Sequence, residues 1–291
     1  MKPAPFDYVA PTTVPEALDA LAASDEARVL AGGQSLLPLL NLRLARPQVV
    51  VDVNGVGELD HVDIEDGVVR IGAITRHRRV ELDPQLGSAV PLLVEAARYV
   101  GHPHIRNRAT VGGSIAHADP VAEFGAVLVA LEGRVVVQGP HGRRTIPADE
   151  WYQGYFTTAI QPGEMLLEVE LPTSPPGSGH AFREFAPRHG DFAVAGVAAV
   201  FERSNGSCAR ARLAACGVGS VPVDLADAAN TVVGATGLDD AALREVAQRV
   251  GDAVQPVDDV HGSAEYRREL TQLLAVDALR AAWERSEQGD R

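Results

Sequence analysis

Only two of the 291 residues are cysteine. Two thiols cannot furnish a four-cysteine zinc or iron–sulfur site. They predict reduced core thiols at Cys208 and Cys216 rather than a disulfide framework. Positive charge is also scarce: 26 Lys and Arg stand against 39 Asp and Glu, a net charge of -13. Nucleic-acid binding depends on Lys and Arg to neutralise phosphates, so that class is excluded. An anionic ligand must instead be captured locally, by backbone N–H groups and a few placed cations. Long apolar runs are missing too. Stretches such as Ala193 to Phe201 are too short to span a bilayer and contain Gly. The start, Met1 to Phe6, has no apolar signal core. These absences predict a cytoplasmic protein with no integral membrane segment.

What the chain has is a core. Its length allows two or three domains, and 46% hydrophobic with 22% charged residues is ordinary for a globular protein. Two glycine pairs then stand out: Ala31-Gly32-Gly33-Gln34-Ser35-Leu36 and Thr110-Val111-Gly112-Gly113-Ser114-Ile115. Such a pair lets backbone approach a ligand and turn several N–H groups toward one point. That suits a diphosphate, and two loops suit one extended dinucleotide held at two places. One Gly pair alone is most often a tight turn. Neither pair is followed by Lys-Ser/Thr, so a P-loop is absent, and neither fits the G-x-G-x-x-G of a Rossmann fold.

The first segment reads β-α-β. Thr13 to Glu16 starts a helix with Leu18, Leu21 and Ala22 on its apolar face. Arg28 to Ala31 is a strand, Leu36 to Leu44 a short helix and Val49 to Val53 a buried strand. Further on, Val68 to Ala73 is a strand, Thr75 caps a short basic helix, and Ser88 to Val100 is a helix. A polar loop from Gly101 to Arg108 leads to the second glycine pair. Val121 to Leu131 has helical spacing; Arg134 to Gln138 and Met165 to Leu171 alternate like strands. Thr173 to Gly179 is the clearest linker. Strands follow at Ala181 to Ala186, Phe192 to Phe201 and Ala209 to Cys216. Helices follow near Asp224 to Val233, Asp239 to Val250 and Ser263 to Arg285, with a frayed tail from Glu287 to Arg291.

Individual polar residues have plain roles available. Asp119, before Pro120, caps the next helix; Glu123 is a favourable first-turn carboxylate or an acceptor for ligand hydroxyls. His102, His104, His117, Asp119 and Glu123 match no strong metal template. Nothing in the sequence places a partner beside His117 to make it a base.

Four strings in order along nearly the whole chain carry a resemblance. They are Ala31 to Pro38 with Asn41 to Pro47; Thr110 to Pro120; Arg183 to Ala193; and Ser263 to Leu270. The chain closely resembles the FAD-binding medium subunit of molybdenum hydroxylases, the carbon monoxide dehydrogenase and xanthine dehydrogenase group. The resemblance implies that Ala31, Gly32, Gly33, Gln34, Ser35 and Leu36 in the first loop bind FAD. It implies the same for Ile74 and Thr75, for Thr110, Val111, Gly112, Gly113, Ser114 and Ile115 in the second loop, and for Asp119. Glu123 matches a position that contacts ribityl or ribose hydroxyls, Leu166 one packing near the isoalloxazine, and Arg183 a basic position beside the flavin ring. The two loops would hold the diphosphate through N–H groups and the Ser hydroxyls. One branch, the hydroxybenzoyl-CoA reductases, carries a cysteine-rich loop for a four-iron cluster; two cysteines exclude it here.

The implied fold is α+β: a two-subdomain FAD-binding domain of the vanillyl-alcohol-oxidase (PCMH) type plus a C-terminal α+β domain. The expected boundaries are 1–57, 58–174 and 178–288. The implied function is the flavoprotein subunit of a heterotrimeric molybdenum hydroxylase, with non-covalent FAD and no catalytic or metal-ligating residue of its own. The molybdenum cofactor and two [2Fe-2S] clusters would sit in a large and a small partner subunit, assembled as a dimer of heterotrimers. Electrons would pass through FAD to an external acceptor. Basic Arg76 to Arg79 and the loop His102 to Arg108 are candidate partner surfaces. A self-contained flavin oxidase and a non-catalytic FAD-binding protein are the alternatives.

Overall fold

A computed structural model describes residues 2–289. The chain begins with β1 (Asp7–Val9), α1 (Val14–Ala22), β2 (Ala27–Leu30), α2 (Leu36–Asn41) and β3 (Val49–Asp52). The strands form a parallel sheet in the order β1-β3-β2. Thr13 caps α1, its Oγ1 accepting from Glu16 N, while the Glu16 carboxylate accepts from Thr12 N at 2.8 Å. The buried face is Val14, Ala17 and Leu21, rotated from the Leu18–Ala22 stripe that the pattern suggests. β2 runs straight into the first glycine pair.

A second layer follows. Its elements are β4 (Val62–Glu65), β5 (Val68–Gly72), α3 (His77–Leu82), α4 (Pro84–Ala89), α5 (Pro91–Ala97), α6 (Pro103–Arg106), α7 (Val111–His117), α8 (Glu123–Ala130), β6 (Arg134–Gly139), β7 (Gly142–Pro147), α9 (Ala148–Trp151), β8 (Tyr152–Gly154), β9 (Thr157–Thr158) and β10 (Met165–Pro172). Five strands make an antiparallel sheet, β4-β5-β10-β6-β7. Ile71, Val135, Val169 and Leu171 pack there with Leu92, Ile115, Phe124 and Leu128 from the helices. Apolar burial on that scale, at about 25 cal/mol per Å², is what holds the helices on the sheet.

Three local expectations fail, each for a visible reason. Pro91 starts α5 and forces Val90 out of the helical region (φ -140°, ψ 63°), so the expected single helix is two. Thr75 caps nothing: Arg76 occupies the cap position of α3, and Thr75 Oγ1 donates to His61 O at 3.0 Å. The segment 101–108 is not an open loop, because it winds into α6 around the buried Arg106 guanidinium. That group binds Glu81 at 2.9 Å and the carbonyls of Val100 and Gly101.

The remaining residues form β11 (Gly179–Phe185), β12 (Ala195–Ser204), β13 (Ser207–Cys216), β14 (Val223–Asp224), α10 (Ala226–Ala229), α11 (Asp240–Ala253) and α12 (Ala264–Gly289). The four strands are antiparallel in sequence order. Asn205 and Gly206, both at positive φ, close the β12–β13 hairpin as an Asn-Gly turn should. One sheet face, with Ala181, Val197, Ala199 and Phe201, packs on Ala275, Ala278, Leu279 and Ala282 of α12. The other, with Phe182, Ala198, Val200 and Ala214, joins the core of the second layer. α12 continues through the expected frayed tail as far as Gly289; Met1, Asp290 and Arg291 lie outside the described residues. Cys208 and Cys216 are free and buried, as expected. The architecture is α+β throughout; the described residues form three larger sheets and the two-stranded β8-β9 ribbon. Among the described residues no helix is long and apolar enough to cross a membrane.

Candidate cofactor site

The two glycine loops lie against each other. A Cβ on Gly32 would run into the Arg108 carbonyl oxygen and stand 2.8 Å from Ala109 Cα, immediately before the second loop. A Cβ on Gly113 would stand 3.9 Å from the Ala31 side chain. The first loop then turns on Gly33, whose φ of +73° belongs to the left-handed region that Gly adopts without strain. The backbone N–H groups of Gly32, Gly33, Gln34 and Ser35 donate to no acceptor among the described residues. Four undirected donors on one tight turn, with Ser35 exposed and its hydroxyl engaged in no cap, form a cradle that fits an oxyanion. Gln34 Nε2 donates back to Gly32 O at 3.2 Å and stiffens the turn.

The second loop differs from expectation. Thr110 is the N-cap of α7, and its Oγ1 accepts from Gly113 N at 3.1 Å. Val111 N donates to Thr75 O, Gly112 N to Ala73 O and Ser114 N to Thr110 O. Its N–H groups are therefore committed inside the protein, and Gly112 is glycine because a Cβ would stand 2.7 Å from Ala73. Thr110, Val111, Gly112 and Ile115 are buried, as are Ile74 and Thr75. They form the floor on which Gly113 and Ser114 are presented. Leu36 is partly exposed at the start of α2.

What holds the loops together escaped the sequence reading. Asn54 Nδ2 donates to Ala31 O at 2.8 Å, and Arg76 Nη2 donates to Asn54 Oδ1 at 2.6 Å. Arg76 Nη1 also donates to Arg108 O. Asp52 receives Tyr8 Oη–H and Asn54 N–H. The exposed Arg108 guanidinium lies close enough to Asp52 and Arg76 to help lower the pKa of both. Its backbone abuts Gly32, so this exposed cationic residue sits beside the N–H cradle. Apart from the local Asp52–Asn54 turn, these hydrogen bonds join residues 22 to 44 positions apart, so no local pattern announces them. The basic run Arg76 to Arg79 is likewise engaged: Arg78 pairs with Glu81 and Arg79 with Asp60.

The other expected site residues spread outward. Asp119 Oδ1 accepts from Val121 N at 3.2 Å, closing a turn rather than capping α8, whose N-cap is Ala122. Glu123 is only 9% exposed, and burial pushes its carboxyl up to about 7. Leu166 is buried in the core of the second sheet. Arg183 donates to Glu95 at 3.1 Å and Asp277 at 2.7 Å, so its guanidinium is tied between α5 and α12. His117 stacks on Phe156 at 5.1 Å. Among the described residues no three His, Cys, Asp or Glu side chains converge as a metal site would require.

Residues 4–174 match the family described as the FAD binding domain in molybdopterin dehydrogenase, and residues 180–282 match the CO dehydrogenase flavoprotein C-terminal domain. The chain belongs to this flavoprotein family. Relatives of the family span its full length. It is 41% identical to the 6-hydroxypseudooxynicotine dehydrogenase complex subunit alpha of Paenarthrobacter nicotinovorans, covering 98% of this chain and 97% of that one. It is 34% identical to the carbon monoxide dehydrogenase medium chain of Hydrogenophaga pseudoflava, covering 98% and 99%. A solved structure of carbon monoxide dehydrogenase from Hydrogenophaga pseudoflava superposes with a TM-score of 0.95 at 35% identity, over 98% and 99% of the two chains. The flavoprotein fold is thus an FAD-binding domain followed by the family's C-terminal domain.

Proposed function

We infer that this chain is the medium, FAD-carrying subunit of a three-subunit molybdenum hydroxylase and acts as its electron exit. The observation that carries the reading is the fan of four undirected N–H groups at Gly32 to Ser35, braced against the second glycine loop. Gly33, Gln34 and Ser35 would hold the diphosphate, with Ser114 from α7 and the Arg108 cation beside them. Ala31, Gly32 and Leu36 set the course of that turn. Thr110, Val111, Gly112, Gly113, Ile115, Ile74 and Thr75 would serve as the wall behind it, and Asp119, Glu123, Leu166 and Arg183 would border the rest of the cofactor. FAD would be bound without a covalent link, in a chain organised as 1–57, 58–174 and 178–288.

When bound, the flavin would supply the redox chemistry between an iron–sulfur partner and an external acceptor. The protein's part is to bind, orient and tune. No group of this chain is assigned as an acid, base or nucleophile. The molybdenum cofactor and the iron–sulfur clusters belong to the large and small partner subunits, in a cytoplasmic dimer of heterotrimers. Relatives are named for 6-hydroxypseudooxynicotine and for carbon monoxide, two dissimilar substrates, on one chain architecture. That contrast supports the reading that a partner subunit chooses the substrate and that this chain supplies the common electron step.

Reconstitution with the large and small subunits tests the assignment. Substrate should reduce the flavin only when both partners are present. Reduction of the isolated chain by substrate would instead identify a self-contained oxidase, and failure with both partners a non-catalytic FAD protein.

A further inference from the structure

A row of residues crosses the C-terminal sheet on the face turned toward α8. Glu184 on β11 is paired with Gly196 on β12, and Gly196 with Cys216 on β13. The row is tight: a Cβ on Gly196 would stand 2.8 Å from Cys216 Sγ. α8 lies over β12 and β13, and its first residue is Glu123. Gly217 N donates to Pro120 O at 2.8 Å, pinning the segment before α8 to the end of β13. Two carboxylates from different layers therefore meet at one seam, close enough that the Glu123 charge acts on Glu184 and both act on Cys216.

Among the described residues neither carboxylate has a counter-charge there. Glu123 is buried, and Glu184 Oε2 is sealed from solvent with no hydrogen-bond partner. Among the described residues no cation acts on either group; Asp119, in the segment before α8, adds negative charge near Glu123. Cys216 from β13 faces the pair, and Tyr99, just after α5, feels the Glu184 charge together with those of Arg183, Glu95 and Arg285. The Tyr152 hydroxyl is buried without a partner beside Gly125 of α8. His77 stacks on Phe124 and is held neutral by burial, its pKa pushed down to about 4. Placing two unpaired negative charges in that setting costs far more than placing one, because burial and mutual repulsion both oppose the second.

We propose that Glu184 is a positioning residue that shares a single proton with Glu123, so that the seam carries one negative charge rather than two. Where Glu123 borders FAD, which rests on the functional reading above, the shared proton also limits repulsion of an anionic cofactor. Burial pushes Glu123 up to about 7; burial and the Glu123 charge push Glu184 up to about 9. The two protons leave as a pair's successive steps, and a single proton remains at mildly alkaline pH.

Isotope-edited infrared spectroscopy of the full chain, with 13C-carboxyl-labelled glutamate, reads this directly. The wild type should show a protonated-carboxyl band at about pH 8 that is lost on further alkalinisation. Glu184→Gln, which keeps the shape of the neutral acid, should lack the band at that pH. It should also show a weaker fall of melting temperature with rising pH. A wild type without the band at that pH overturns the proposal, whatever the variant does. A band unchanged in E184Q overturns it too. The infrared measurement needs no cofactor, so a chain that shows the expected band but binds no FAD would refute the functional reading and leave the proton pair standing. With FAD bound, affinity should weaken several-fold from neutral to alkaline pH, and less so in E184Q; equal pH profiles would contradict the cofactor half.

Discussion

Gly32 lies directly on the backbone of Arg108, leaving no room for a Cβ between them. The first glycine of the first loop is thus glycine because two chain segments touch. The same contact sets the cradle against the second loop. Gly32→Val should therefore separate the loops and abolish FAD retention. The overpacking should also cost about 1–3 kcal/mol of stability. Flavin absorbance after desalting and a thermal melt check both. A variant that melts like the wild type and keeps FAD would refute the close approach.

Arg108 is predicted to act by charge. Arg108→Ala leaves its backbone contact with Gly32 in place and removes the cation at the cradle edge. FAD affinity should fall by about tenfold, roughly 1.4 kcal/mol, with the loss smaller at high salt. Fluorescence titration with FAD at two ionic strengths measures this. Asn54→Ala, which cuts the link from Ala31 to Arg76, should weaken binding with little change in salt dependence.

His77 predicts a pH effect. Its ring is fully buried, its Nε2 bonds Thr110 O at 3.0 Å, and its Nδ1 has no partner. The pKa of about 4 lies below the ordinary value of 6.5. The unfolded chain therefore takes up a proton first as pH falls. Stability contributed by neutral His77 is present above pH 6.5 and is lost as pH falls toward 4, by about 3 kcal/mol in all. His180, held down by burial in the same sense, adds to the slope. Urea melts of wild type and His77→Gln from pH 7 to 5 should show a shallower decline in the variant; parallel declines would contradict the assignment.

Arg267 fastens α12 to the rest of the C-terminal domain. Only 4% exposed, it donates to Val194 O at 2.6 Å and Gly217 O at 3.1 Å, and grips both Asp259 oxygens at 2.7 and 2.6 Å. Arg267→Met should cost about 3 kcal/mol, at the low end for a broken buried pair because Asp259 is partly exposed. Chemical denaturation measures it, and a change below 1 kcal/mol would contradict this fastening role.

The sequence reveals most where structure is local. Thr13 capping and both glycine pairs are short-range signals, and both appear in the structure; the Asn205-Gly206 hairpin is another such signal, which the strand assignment passed over. Pro91 was an equally local signal, and it divides α4 from α5. Other features depend on residues far apart. Thr75 looks like a cap, yet it is a strut because the second loop pairs with it across 36 positions. The bracing residues Asn54, Arg76 and Arg108 look like ordinary surface polar groups until the fold brings them together. Strand alternation puts Arg183 and Glu184 on opposite sides of β11. Arg183 turns to α12, and its neighbour meets Glu123.

FAD binding by the purified full chain tests the central claim most directly. After incubation with excess FAD and desalting, the wild type should retain flavin absorption bands corresponding to a single FAD per chain. Gly33→Val, which forces a branched side chain into the left-handed turn at φ +73°, should retain none while remaining folded. A wild-type chain that keeps no flavin, or a Gly33→Val chain that keeps as much as the wild type, would contradict the account.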